Sequence, residues 1–260
     1  MQSQKIPFVS LDTQIPENTP LYSISILEGE IKDIHVEQVV IASNNSKEDS
    51  SMDGYKAIYL FIKGTGEVVA ENTNYEIVPE TIFLPNAVEN ITIKPADGKA
   101  LHYLKITCKL SAQDHLDLQE LPADNVRNVY CAKFTDCQSY SEAIKSPDTV
   151  SRTILSNEYI PRVAMGTVQT KGPDKVAAHK HPMLEQLFLG LSENNCTVYA
   201  DDDHVDFPEY SMLHIPLGSC HSISVEKDQI MYYVWMDFFL DRKGEEWLKT
   251  HQIDAEQRKA

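Results

Sequence analysis

The chain states one strand pattern twice. Glu67-Val68-Val69-Ala70 is answered by Thr197-Val198-Tyr199-Ala200, Pro79-Glu80 by Pro208-Glu209, and Tyr103–Leu110 by Tyr233–Leu240, at an offset of about 130 residues. Each copy then reaches a capping residue, Ser111 or Asp241, followed by a short stretch with helical character. Ordered repetition on this scale marks a duplicated architectural unit. Within the copies, short β-branched and aromatic runs alternate with turn residues, so each copy is expected to be an all-β barrel or sandwich.

Taken in order, strands are expected at Leu21–Leu27, Ile34–Ala42, Tyr55–Lys63, Glu67–Ala70, Thr81–Leu84, Ile91–Ile93 and Leu101–Leu110. The polar run at 43–51 reads as a solvated loop, and Gly64-Thr65-Gly66 as a hairpin turn. A turn of helix is expected around Ser139–Ile144, ahead of the linker-like Lys145-Ser146-Pro147-Asp148. The second copy is expected to begin with strands at Thr149–Leu155 and Arg162–Lys171 and to close on the apolar strand Ile230–Phe239. An amphipathic tail helix over Asp241–Asp254 would present Trp247, Leu248 and Ile253 for packing.

The second copy also carries His179-Lys180-His181-Pro182-Met183-Leu184-Glu185 and, later, Pro216-Leu217-Gly218-Ser219-Cys220-His221. Alternation along a strand sends His179 and His181 to one side and Lys180 to the other, with Glu185 rejoining them after a turn. His221 joins them if the two strands lie side by side. Three imidazoles and a carboxylate make a divalent-metal site with positions left open for substrate or water. The ion would be Zn, Mn, Fe, Ni or Cu. By the same alternation Gln186 should point away from the site, and Cys220 outward.

These residues resemble the two motifs of the cupin superfamily, G-x5-H-x-H-x3,4-E-x6-G and G-x5-P-x-G-x2-H-x3-N. His179, His181 and Glu185 match the first, and Pro216, Gly218 and His221 the second. Pro173, Ser192, Tyr210 and Val225 stand where the flanking residues of the motifs belong. The resemblance implies two cupin (jelly-roll) barrels with a few short helices: a degenerate N-terminal cupin over 1–120, a connecting segment over 121–148, and a metal-binding C-terminal cupin over 149–260. In the first copy, Ser50 to Ala57 offers no ligand set, and Asn90 aligns with His221.

Around the metal, His214 and Asp237 are candidate catalytic groups, the first because an imidazole titrates near neutral pH, the second because a carboxyl inside an apolar strand needs a partner or a job. Tyr199 and Tyr233 are candidate substrate contacts. The layout is similar to that of uronate isomerases, which implies an enzyme acting on a small oxygen-rich substrate and isomerising a keto-sugar or uronate through a metal-stabilised enediolate. A cupin dioxygenase and a non-catalytic small-molecule-binding bicupin are the alternatives.

A formal charge of -16, from 39 acidic against 23 basic residues, argues against nucleic-acid or anionic-membrane partners. Residues 1–20 lack the pattern of a secretory signal, no run is long enough to span a bilayer, and five cysteines show no CxxC spacing. A cytoplasmic protein with a small-molecule substrate is expected, with a homodimer possible.

Overall fold

The computed structural model describes residues 6–13 and 19–245. They form two units, one of residues 12–137 with Glu158–Ile160, the other of residues 6–11, 138–157 and 161–245. The strands in chain order are β1 (Phe8–Ser10), β2 (Leu21–Ile26), β3 (Ile34–Ile41), β4 (Lys47–Ser50), β5 (Tyr55–Lys63), β6 (Gly66–Ala70), β7 (Thr73–Ile77), β8 (Thr81–Leu84), β9 (Asn90–Pro95), β10 (Leu101–Lys109), β11 (Tyr130–Lys133), β12 (Ser139–Tyr140), β13 (Val150–Leu155), β14 (Val163–Lys171), β15 (Asp174–Lys180), β16 (Leu184–Gly190), β17 (Asn195–Ala200), β18 (Asp203–Pro208), β19 (Ser211–Ile215), β20 (Cys220–Val225) and β21 (Ile230–Phe239). The helices are short: α1 (Ala112–Glu120), α2 (Ala123–Arg127) and a 3-10 turn at Phe134–Asp136.

Each unit pairs a large antiparallel sheet with a small one. In the N-terminal unit the orders are β11-β8-β5-β10-β3-β2 and β4-β9-β6-β7; in the C-terminal unit they are β1-β19-β16-β21-β14-β13-β12 and β15-β20-β17-β18. The repeat therefore extends to topology, with β5, β8 and β10 in the places of β16, β19 and β21. Strand alternation makes the two-sheet arrangement stable, since every second residue of both sheets turns to a shared core. In the C-terminal unit that core takes Val168, Phe188, Leu213, Ile215, Met231 and Tyr233 from the large sheet and Val176, Val198, Phe207, Ile223 and Val225 from the small one. Fully burying one such side chain contributes about 1.5–3 kcal/mol.

Several expectations change. The run at 43–51 contains β4, whose edge is satisfied by β9. Gly64-Thr65-Gly66 is no hairpin turn, because β5 and β6 lie in different sheets. It is a corner where the chain changes sheet, and Gly64 is required there: its φ is +85, and a Cβ would meet the Ala100 carbonyl oxygen at 1.9 Å. Ser139–Ile144 is not helical; β12 pairs with β13 and a turn follows. Ser111 caps α1 as expected, its hydroxyl accepting from the Asp114 amide while the Asp114 carboxylate accepts from the Ser111 amide. Asp241 Oδ1 accepts from the Lys243 and Gly244 amides. Most of the expected tail helix, with Trp247, Leu248 and Ile253, lies outside the described residues. Among those described, no helix is long and apolar enough to cross a membrane.

Candidate metal centre

The site starts from a defect in a strand. Val176 pairs with Ile223 and His179 with His221, so β15 spends three residues where β20 spends two. The extra residue is a bulge, and it resets the alternation so that Val176 and His179 both face the core side. His179 and His221 then stand directly across from each other, ring centroids 4.2 Å apart. His181 closes the group at 4.8 Å from His179 and 5.4 Å from His221. One ring nitrogen from each lies within 4.8 Å of the others, a spacing a single ion can bridge.

The rings are prepared for ligation. The Nδ1 atoms of His179 and His221 lie 2.7 Å and 3.4 Å from the carbonyl oxygens of Ala177 and Ser219. A carbonyl only accepts, so Nδ1 carries the proton and Nε2 presents its lone pair. Burial first, then the neighbouring His179 and His181, holds the His221 imidazole well below its usual range. His221 is therefore held as a neutral nitrogen donor. His221 is buried, whereas His179 and His181 are half-buried and face an approach from solvent.

Glu185 does not join them. Phe188 and Tyr233 face the core, so on β16 the residues of Phe188 parity, including Gln186, turn inward and Glu185 turns to the reverse face. On β19, Leu213 and Ile215 face the core, which places His214 on that same reverse face. There the Glu185 Oε2 and His214 Nε2 atoms are 2.9 Å apart. The expectation that Glu185 is a ligand, and that His214 works beside the ion, is corrected accordingly. The reason is one residue of turn between β15 and β16, enough to flip the parity of everything after it.

Asp237 is on the inward face with Tyr233 and Trp235. Its Oδ1 accepts from Gln186 Nε2 at 2.8 Å, directly across the β16–β21 pairing. Burial is the main influence on the Asp237 carboxyl and raises it; Gln186 lowers it, Glu142 raises it, Lys145 lowers it, and it settles at about 7. Tyr233 is also inside, its ring 5.0 Å from Phe188, and burial holds its hydroxyl well above the usual tyrosine range. Tyr199 is corrected: Val198 and Ala200 face the core, so Tyr199 points outward, 41% exposed and stacked on His204. Cys220 adjoins His221 with the opposite parity, as expected.

Further polar residues come from the connecting segment, where no periodic signal pointed to them. Lys145 Nζ lies 2.6 Å from Glu142 Oε2 and 3.0 Å from Ser151 Oγ, and 5.5 Å from the centre of the Tyr140 ring. Tyr140 bonds in turn to Trp235, and the charge of Asp237 reaches it. Ile144 packs on the core, and its carbonyl accepts from the Ala177 amide. The signal that did exist was Asp237 itself, a carboxyl in an apolar strand that had to have a polar neighbour.

No family model matches the chain, and no curated protein matches it by sequence. Solved structures do. A cupin 2 conserved barrel domain protein from Leptotrichia buccalis matches with a TM-score of 0.60 at 16% identity, over 87% of this chain and 92% of the other. The oxalate decarboxylase of Lactobacillus farciminis matches at 0.65 and 11%, over 94% and 90%. The putative glyoxylate-induced protein of Pseudomonas aeruginosa matches at 0.66 and 11%, over 84% and 79%. The chain carries the cupin fold twice. At these identities the likeness is one of fold.

Among the described residues, only the C-terminal cupin gathers histidines into such a cluster. Register identifies the counterparts in the N-terminal cupin: Ala200 pairs with His221 as Ala70 pairs with Ile91, and His179 pairs with His221 as Asp49 pairs with Ile91. Ile91, and not Asn90, therefore stands in the place of His221, and Asp49 in that of His179. Phe188 pairs with Trp235 as Tyr59 pairs with Lys105. Lys105 Nζ reaches Asp49 at 2.7 and 2.8 Å, and the Tyr59 hydroxyl donates to Asp49 at 3.0 Å. The residues of the C-terminal cupin fit a divalent ion; those of the N-terminal cupin do not.

Proposed function

We propose that the C-terminal cupin is a divalent-metal-dependent enzyme that isomerises a small oxygen-rich substrate, a keto-sugar or uronate. The observation that carries this reading is the convergence of three imidazoles, His179, His181 and His221, with the Nδ1 atoms of His179 and His221 facing backbone carbonyls. The ion they would hold supplies a Lewis acid that polarises a carbonyl and acidifies the neighbouring C–H. The chain's own residues supply the rest. His179 and His181, half-buried, leave an approach for a small polar molecule, while the Phe188 ring lies against His221 and Tyr233 against Phe188, an apolar side to the cluster. Asp237, on the inward face, is the carboxyl we assign to carry a proton from one carbon to the next. Glu142 and Lys145 present an acceptor and donors near it for substrate hydroxyls.

Proton transfer needs a positioned base and no oxidant, and the inward Asp237 favours isomerisation over oxygen chemistry. The test is a screen of keto-sugars and uronates with metal-reconstituted protein under anaerobic conditions. Turnover without oxygen is expected. Turnover that requires oxygen, or protein that takes up no divalent ion, overturns the reading.

A further inference from the structure

We propose that Gln186, in place of Glu185, completes the donor set of the C-terminal cupin, and that the resulting charge-neutral set selects an anionic, oxygen-chelating ligand such as an α-hydroxy or α-keto carboxylate. This rests on the metal-centre reading above. The first support is parity: Gln186 shares the inward face with Phe188, whose ring lies 5.9 Å from that of His221. It sits two residues nearer than Phe188 to the turn that carries His181. Glu185, facing the other way, is occupied by His214.

The second support is a buried atom left over. Gln186 Oε1 is buried and has no hydrogen-bond partner among the described residues. An unsatisfied buried carbonyl costs about 1–3 kcal/mol, so such an atom calls for an explanation. Turning the amide over would not relieve it. Asp237 accepts from Nε2 at 2.8 Å, and reversal would set two oxygens against each other. The carboxyl thus acts as a positioning residue, holding the amide nitrogen on its own side and turning the carbonyl oxygen away from itself. A hard oxygen left unpartnered on the same inward face as Phe188, which packs against His221, is the fourth donor that three imidazoles would need to hold a divalent ion.

The consequence is electrostatic. As ligands, three imidazoles and a carboxamide would add no charge, so a bound divalent ion would keep both of its own. A ligand bringing a carboxylate oxygen and an adjacent hydroxyl or carbonyl oxygen offsets that charge, and an uncharged diol of the same shape does not. A uronate satisfies this and a neutral sugar does so poorly.

Co(II) titration of the full chain, followed by visible absorption and calorimetry, tests the donor. Gln186→Leu keeps the volume and removes the oxygen, and is expected to weaken Co(II) binding about tenfold or more and to shift the absorption bands. Glu185→Gln should change neither. Asp237→Asn keeps an acceptor for Nε2 and should keep Co(II) affinity while losing isomerisation; Asp237→Leu should lose both. Thermal melts without metal identify any variant that fails to fold. Glycolate and glycolamide then serve as matched charged and uncharged probes on the Co(II)-loaded protein. A preference for glycolate of about tenfold is expected. Loss of Co(II) on Glu185→Gln, or full affinity in Gln186→Leu, overturns the donor assignment alone. Equal binding of the two probes overturns the charge argument. No uptake by the wild-type chain overturns this proposal and the metal centre together.

Discussion

At the position where the C-terminal cupin gathers imidazoles, the N-terminal cupin holds an ammonium. The two sites sit on the same register frame, yet one is a cluster of three imidazoles that could hold a divalent ion and the other is Asp49 with the Lys105 ammonium bonded to it. The walls differ in keeping with this. Where the C-terminal cupin places His221, Phe188 and Trp235, the N-terminal cupin places Ile91, Tyr59 and Lys105. Tyr59 also donates to Asp49, and its ring lies 5.9 Å from the ammonium. A shared barrel can thus carry an internal ion pair or a cluster of imidazoles at the same register. A few inward positions decide which.

The sharpest way to break the contrast is to remove an imidazole. His181→Ala or His221→Ala should abolish stable retention of divalent metal, read by elemental analysis after desalting; full metal content in either variant would mean the cluster is not the site. Next in size is the internal cation. Lys105→Met leaves Asp49 without its main partner and should cost about 3 kcal/mol in chemical denaturation, while Asp49→Leu combined with Lys105→Met should recover most of that loss. If the single and double variants are equally unstable, the pair is not what closes the N-terminal barrel.

A milder probe is acid. Burial is the largest influence on Asp49 and pushes its pKa up, but the Lys105 hydrogen bond and charge, Lys47 and Tyr59 outweigh it and leave the value below 3.8. A depressed carboxylate contributes stability that is present above its unfolded value and is lost as pH falls through the folded one. Unfolding curves should therefore weaken below about pH 4, and this acid dependence should shrink in Lys105→Met. The smallest expected effect is at the exposed Lys94–Glu67 pair, 3.7 Å apart, where Lys94→Ala should change stability by less than about 0.5 kcal/mol.

Much of this was legible in the chain. The strands Tyr55–Lys63, Thr81–Leu84 and Ile230–Phe239 fall where their β-branched and aromatic runs place them. The three histidines meet because H-x-H and P-x-G-x2-H lie on strands that pair. What was not legible has a common origin. Strand parity depends on the count of residues through a bulge or turn, and neither announces itself in a β-rich sequence. One residue between β15 and β16 separates Glu185 from Gln186, and one residue on β9 separates Asn90 from Ile91. Pairings distant in sequence were equally silent, as with the Gly64-Thr65-Gly66 corner, whose glycine answers to the Ala100 backbone.

One of those distant pairings reaches further. Strand β1 lies at the edge of the C-terminal cupin, its register running from Phe8 opposite Leu213 to Ser10 opposite Ser211. The His214 amide donates to the Pro7 carbonyl and the Leu11 amide to the Tyr210 carbonyl. The half of the protein that gathers the histidines thus borrows its outermost strand from before the other half begins. A gene cut at residue 138 would release a fragment with β19 as a bare sheet edge, open to pairing with any extended chain it meets.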